Sequence, residues 1–212
     1  SPGEFYQLYM EMSFATQDDV FGVIEDVFPP IFAKYGLYNR ASSAPFKRIG
    51  FVEAMETYGS DKPDLRIDLT VTDATELLAD CGFEPFAGQT VKAIVVTDFN
   101  APRKQIDKLC ADVEVQAGEK AYWFRLDEKG ELVGGISKFV AEKKDEVVEK
   151  LGLKPGCFVG LTAGKKSAAQ KTAGVLRSKL GALCPNHMDR EKYEFCWIVD
   201  FPMYEIGEES GE

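Results

Sequence analysis

Residues 160–167 read Gly-Leu-Thr-Ala-Gly-Lys-Lys-Ser, the residue types from which a phosphate cradle is built. A P-loop needs four residues between its glycines and a hydroxyl directly after its lysine. Here only three residues separate Gly160 from Gly164, and the lysine that follows Gly164, Lys165, is followed by Lys166 and not by a hydroxyl, so the pattern fails. A second candidate is charge. Residues 154–192 hold eight basic side chains (Lys154, Lys165, Lys166, Lys171, Arg177, Lys179, Arg190, Lys192) against Asp189 and Glu191, a local balance of +6. Lys165, Lys166, Lys171, Arg177 and Lys179 fall on one expected helix, which is either a phosphate-contacting face or a plain solvated one. A third candidate is the start of the chain. Tyr6, Leu8, Met10, Met12 and Phe14 alternate with Phe5, Gln7, Tyr9, Glu11 and Ser13. Period two implies a strand with one greasy face and one mixed face, and the mixed face is the one that could do chemistry.

Other reactive side chains point elsewhere. His187 is the single histidine, with no Cys or His near it, and is expected to be structural or solvated. Cys81, Cys110, Cys157, Cys184 and Cys196 are odd in number and include no CxxC pair, which implies free thiols in a reducing cytoplasm. No paired His and Glu set suggests a metal or hydrolytic centre. A net charge of -10 argues against the whole surface wrapping nucleic acid, and residues 1–30 carry six acids and no base. The chain has no run of 18 apolar residues, so no membrane span is expected. Its 212 residues suit one large domain or two modest ones, and the Ser-Pro-Gly start reads as a fragment whose termini are cuts.

The elements that must position these residues follow from spacing. Residues 16–19 form a capping box, followed by Val20, Ile24, Val27, Phe28 and Ile31 at helical intervals until Pro29 and Pro30 should kink or interrupt the helix. Residues 51–58 make a short helix ending at Gly59. The stretch YGSDKPDLR, residues 58–66, has almost nothing apolar to bury and is read as a rigid, exposed domain border. Beyond it, Leu65, Ile67, Leu69 and Val71 alternate as a strand, and Asp73 caps a short helix. Residues 91–161 then read strand, helix, strand, strand, helix, strand, with a hairpin turn at residues 127–130 and Pro102 opening the first helix. That order suits a split βαβ, two-layer α/β sandwich with helices on one face, within an α+β chain. A helix spans residues 165–183. Residues 195–201 are almost continuously apolar, as in a strand buried on both faces. The economical inference is that this strand pairs with residues 5–14, the middle region being inserted between them. The acidic tail from Glu205 is expected to be disordered or a severed loop.

Three stretches carry a resemblance along essentially the whole chain: GEFYQLYMEMSF (residues 3–14), AMETYGSDKPDLR (residues 54–66) and WIVDFPMYE (residues 197–205). In wording and order they resemble bacterial-type aspartyl-tRNA synthetases. The resemblance implies residues 1–66 as partial class II catalytic domain with the end of motif 2, residues 67–193 as a GAD insertion, and residues 194–212 as the return strand and tail. It further implies a cytoplasmic, homodimeric parent that activates L-aspartate with ATP and magnesium and transfers it to tRNA. By position Phe5 resembles the residue that stacks on adenine, Gln7 one near the amino acid, and Glu11 a supporting acid. Tyr9 departs from the family, which has at that place an acidic residue receiving the substrate ammonium. Loss of such a buried charge pair costs on the order of 2 to 5 kcal/mol. Motif 1, the motif 2 arginine, the histidine pair, motif 3 and the anticodon-binding domain have no counterpart here, so this stretch alone is expected to be inactive, with no complete catalytic set. Rival readings make the insertion a tRNA-binding module, through Lys165, Lys166, Lys171, Arg177 and Lys179, or a structural shield.

Overall fold

A computed structural model describes residues 3–204, and the expected tail from Glu205 lies outside them. The chain divides into two compact units, Ser1–Lys47 with Glu191–Phe195, and Arg48–Arg190 with Cys196–Glu212.

In the smaller unit α1 spans Gln17–Tyr35, and its capping box forms as expected, with the Asp19 amide donating to Thr16 Oγ1 and the Thr16 amide to Asp19 Oδ2. The prolines do not interrupt α1, which runs through Pro29 and Pro30. Proline inside a helix costs about 3 kcal/mol or more. Aromatic packing on either side of the pair offsets it: Phe28 and Phe32 contact Phe195 at ring separations of 5.9 and 5.0 Å, and Phe32 lies 4.7 Å from Tyr193. Residues 5–14 form no strand. Their alternation defines two faces, but a strand exists only where a neighbouring ladder takes its backbone groups. None of the described strands does so, and Tyr6 and Leu8 are 98% and 91% exposed.

The larger unit contains, in chain order, β1 (Lys47–Gly50, whose first residue belongs to the smaller unit), α2 (Phe51–Tyr58), β2 (Thr72–Asp73), α3 (Thr75–Leu78), β3 (Thr90–Val96), α4 (Arg103–Ala117), β4 (Ala121–Leu126), β5 (Leu132–Val133), α5 (Ser137–Val140), α6 (Lys144–Lys150), β6 (Phe158–Gly164), α7 (Lys166–Leu183) and β7 (Cys196–Val199). The final strand therefore pairs with β1, in a two-stranded sheet, and not with residues 5–14; it is half-buried, not sealed on both faces. Ile49, Ala54 and Tyr58 form the small core beneath it.

The main sheet runs β2-β3-β6-β4-β5 with every pair antiparallel. The predicted hairpin is present: Leu126 pairs with Leu132 across a turn in which Asp127 Oδ1 accepts from the amides of Lys129 and Glu131. Helices cover both faces, which corrects the two-layer expectation. Val91, Ala93, Phe124, Val159 and Leu161 point into a core shared with Leu77, Leu78, Phe86, Val140 and Val147. Ile94, Val96, Ala121 and Phe158 point the other way, toward Ile106, Leu109, Val113, Leu176 and Leu180. Strands β3 and β6 are apolar on both sides, and neither side can be left to water. The alternating residues 65–71 were expected as a strand, yet outside an isolated Ile67–Met188 bridge they join no ladder, because a buried side chain takes their carbonyls.

Candidate functional site

The border stretch does not behave as a plain connector. Helix α2 ends on Gly59 at φ 67°, and a Cβ there would lie 2.3 Å from the Gln170 carbonyl oxygen and 2.4 Å from the Gly174 nitrogen of α7. Only glycine satisfies both the left-handed backbone and this approach. The chain then folds on itself. Ser60 Oγ accepts from the Lys62 amide at 3.0 Å, and Asp64 takes a two-pronged contact from Arg66 at 2.9 and 2.7 Å. The Arg66 hydrogen bonds hold the Asp64 carboxyl below its usual pKa. Between this stretch and α7 lies an open groove of about 490 Å³, floored by Phe51, Tyr58 and Val175 and rimmed by Asp61, Lys62 and Lys171.

The cationic helix is split by burial. Lys165, Lys166 and Lys171 are exposed and Lys179 is half-buried. Arg177 is 1% exposed, and its guanidinium donates to the carbonyls of Leu69 (2.6 Å), Ile67 (2.7 Å) and Asp64 (3.0 Å) while lying over the Tyr58 ring at 4.9 Å. This arginine is a core clamp on residues 64–69 and is withdrawn from the tRNA-contact set. It also explains why those residues need no ladder: their carbonyls are already satisfied.

A charge cluster went unnoticed in the sequence. Lys92 on β3 has a fully enclosed side chain, and its ammonium donates to Glu56 of α2 at 2.5 Å and to Asp73 of β2 at 2.9 Å. Glu56 reaches Lys166 with its other oxygen at 2.6 Å. Burial opposes the Lys92 charge, but the two carboxylates outweigh it and raise its pKa above the ordinary lysine value. Hydrogen bonds from Lys166 and then Lys92 pull Glu56 below its usual value. The only trace in the sequence is a lysine at the centre of TVKAIVV, a charge that an otherwise apolar strand must pair.

His187 is structural, as expected. Its ring bridges Asp68 at 2.7 Å and Thr97 at 3.2 Å, which stitches residue 68 to the loop after α7. None of the five cysteines is joined in a disulfide. Phe5, Gln7 and Glu11 lie on the unpaired segment, where Phe5 is 79% exposed and Tyr9 donates its hydroxyl to Gln7 Oε1 at 3.1 Å. The segment does not fold them into a cleft. Among the described residues no group of three or more His, Cys, Asp or Glu side chains could hold a metal ion. No described helix is long and apolar enough to cross a membrane.

Comparison with known proteins bears on the whole chain. Residues 1–210 match the model of the class II tRNA synthetases specific for aspartate, lysine and asparagine. The chain is 44% identical over its full length to the aspartate–tRNA ligase of Streptomyces coelicolor and 41% identical to that of Streptomyces avermitilis. It is 40% identical, over 99% of its length, to the aspartate–tRNA(Asp/Asn) ligase of Zymomonas mobilis. In each case it spans 36% of the relative's length.

Proposed function

The chain belongs to the class II tRNA synthetases, and on that premise we propose that it is the central portion of an aspartate–tRNA ligase. The parent activates L-aspartate with ATP and magnesium in the cytoplasm and transfers it to tRNA, as a homodimer. Residues 67–193 are its GAD insertion and the flanking residues belong to the catalytic domain. The observation that carries this reading is the similarity that covers the chain from end to end, and with it all three quoted stretches and the region between them. The pairing of β1 with β7, strands that lie on either side of residues 67–193, supports an insertion. Because no described cleft gathers Phe5, Gln7 and Glu11, no catalytic step is assigned to this stretch alone. A full-length ligase carrying this sequence is expected to show aspartate-dependent ATP/pyrophosphate exchange, and the 212-residue chain none. Robust exchange by the short chain would sink the reading.

A second role for the insertion, tRNA contact, is favoured by the outward lysines of α7. Each phosphate neutralised contributes about 0.9 to the slope of log K against log salt. Replacing Lys165 and Lys171 by glutamine should therefore flatten the slope for tRNA by nearly two, whereas Arg177, being buried, contributes nothing to it. If instead a parent lacking residues 67–193 charges tRNA at near-normal rates, the insertion is structural.

A further inference from the structure

On the larger unit a groove of about 600 Å³ opens between the start of the β3–α4 connection, the β4–β5 hairpin and the loop before β6. Its central feature is Arg125. The guanidinium lies 5.8 Å from the Trp123 ring and 5.9 Å from the Phe158 ring, and one terminal nitrogen donates to the carbonyls of Phe99 and Ala101. Its Nε is buried with no hydrogen-bond partner, and among the described residues the group makes no ion pair. A guanidinium held against aromatic faces without a counter-ion is unusual, because desolvating a charge is costly unless a partner returns the lost interaction. Burial accordingly pulls its pKa below the ordinary arginine value.

Carboxylates also line this groove, yet none is spent on Arg125. Asp127 is committed to the hairpin turn, accepting from two backbone amides at 2.9 and 2.8 Å. Glu128 has no hydrogen-bond or salt-bridge partner among the described residues, and its carboxylate rests against Gly156, where a Cβ would lie 2.8 Å from Oε1. Asp98 has only a long contact from Asn186 at 3.4 Å. One wall thus offers a guanidinium that has carbonyl partners but no counter-ion among the described residues, and the rim offers two acids that lack a cation. Thr97, Asn100 and Asn186 add neutral hydrogen-bonding groups beside them.

We infer that this groove binds a free polar α-amino acid, with its carboxylate on Arg125 and its ammonium between Glu128 and Asp98. A simple anion would satisfy Arg125 but would meet the two acids, and a simple amine would meet the arginine. A ligand carrying an ammonium and a carboxylate on one carbon suits the arrangement. The volume leaves room for a side chain, and the amide and hydroxyl groups at the margin favour a polar one. The inference does not rest on the ligase reading, since no substrate residue of that reading lines the groove.

The test is titration of the 212-residue chain by heteronuclear NMR, with glycine as the minimal zwitterion, acetate and methylamine as its two halves, and then the standard amino acids. Glycine should give saturable shifts at the amides of Thr97, Arg125 and Gly156, and each half-ligand should bind roughly tenfold more weakly or worse. A polar amino acid should bind more tightly than glycine. Glu128→Gln, an exposed change that leaves the core untouched, should weaken glycine by a similar factor without altering acetate, and Arg125→Lys should weaken both. Absence of saturable shifts with every amino acid up to tens of millimolar would overturn the inference. So would acetate binding as tightly as glycine, or a Glu128→Gln variant that leaves glycine affinity unchanged.

Discussion

At the scale of single residues, the two most buried cations in the larger unit have opposite kinds of partner, and this sets what their replacement should do. Arg177 donates to three backbone carbonyls, of which that of Asp64 also accepts from the Ile67 amide at 3.2 Å. Each stranded carbonyl costs about 1–3 kcal/mol, non-additively. Arg177→Met should therefore lose about 3 kcal/mol or more, and Arg177→Lys about 2 kcal/mol, since an ammonium lacks the fork that spans Leu69, Ile67 and Asp64. Urea midpoints measure both. A midpoint within error of wild type for either variant would show that residues 64–69 hold without the clamp. Lys92 is bound by side chains, and the asymmetry lies in who is buried: Lys92 is enclosed, whereas Glu56 and Asp73 are one-third and one-half exposed. Removing both acids by Glu56→Gln with Asp73→Asn strands a buried ammonium, at about 3–5 kcal/mol. Lys92→Met strands only carboxylates that water can reach and should cost less. Lys166→Ala touches the solvent-facing end of the same network and should fall within about 1 kcal/mol of wild type. The order of the three midpoints is the check.

At the scale of elements, the contact of α2 with α7 reverses an ordinary rule. Glycine in a helix interior is usually worse than alanine by about 0.5–1 kcal/mol. Gly174 sits inside α7, but a Cβ there would lie 2.2 Å from the Gly59 carbonyl oxygen, backbone that cannot step aside. Gly174→Ala should hence destabilise by more than about 2 kcal/mol, while Gly22→Ala on α1, where a Cβ meets nothing within 4 Å, should be neutral or stabilising. Comparable effects at the two glycines would remove the close approach as a cause. The same contact marks how much could be read from residues alone. The helix cap at Thr16, the turn at Asp127 and the order of β3 through α7 were legible, because each depends on neighbours within a few positions. The strand expected at residues 65–71 was not, since its carbonyls are claimed by an arginine over a hundred positions away. The alternation of residues 5–14 named the faces of a strand without naming a partner to hold it. For the candidate site the lysines of α7 were visible as a run, but Arg177's inward direction, the Lys92 cluster and the setting of Arg125 all depend on which strands become neighbours.

At the scale of the whole molecule, two effects compete as the pH falls. The chain carries a net charge of -10 at neutrality and a pI near 4.8, so acidification toward the pI relieves self-repulsion and on that count should stabilise. Against this stand carboxyls whose pKa values lie below their ordinary ones: Glu56 through Lys166 and Lys92, and Asp64 through Arg66. Asp73 joins them, since hydrogen bonds from Thr75 and Lys92 overcome its burial. A group depressed in the folded state contributes stability that is complete above its unfolded pKa and is lost as the pH drops through the folded value. With ordinary values of 3.8 for Asp and 4.5 for Glu, that loss begins close to the pI and deepens below it. Lys92 has the opposite sign: its raised pKa confers stability that is complete below 10.5 and is lost as the pH rises through the higher folded value. The specific pairs are short and partly enclosed, while the diffuse repulsion is screened within about 10 Å at 0.1 M salt. The pairs should therefore decide the outcome. The thermal midpoint is expected to be flat from about pH 6 to 9 and to fall steeply below pH 4.5, with no maximum at the pI. In Glu56→Gln with Asp73→Asn the acid limb should become shallower, because two of the groups that produce it are gone. A midpoint that peaks at pH 4.8 in 0.1 M salt, or an acid limb unchanged in the double variant, would place net charge above these pairs.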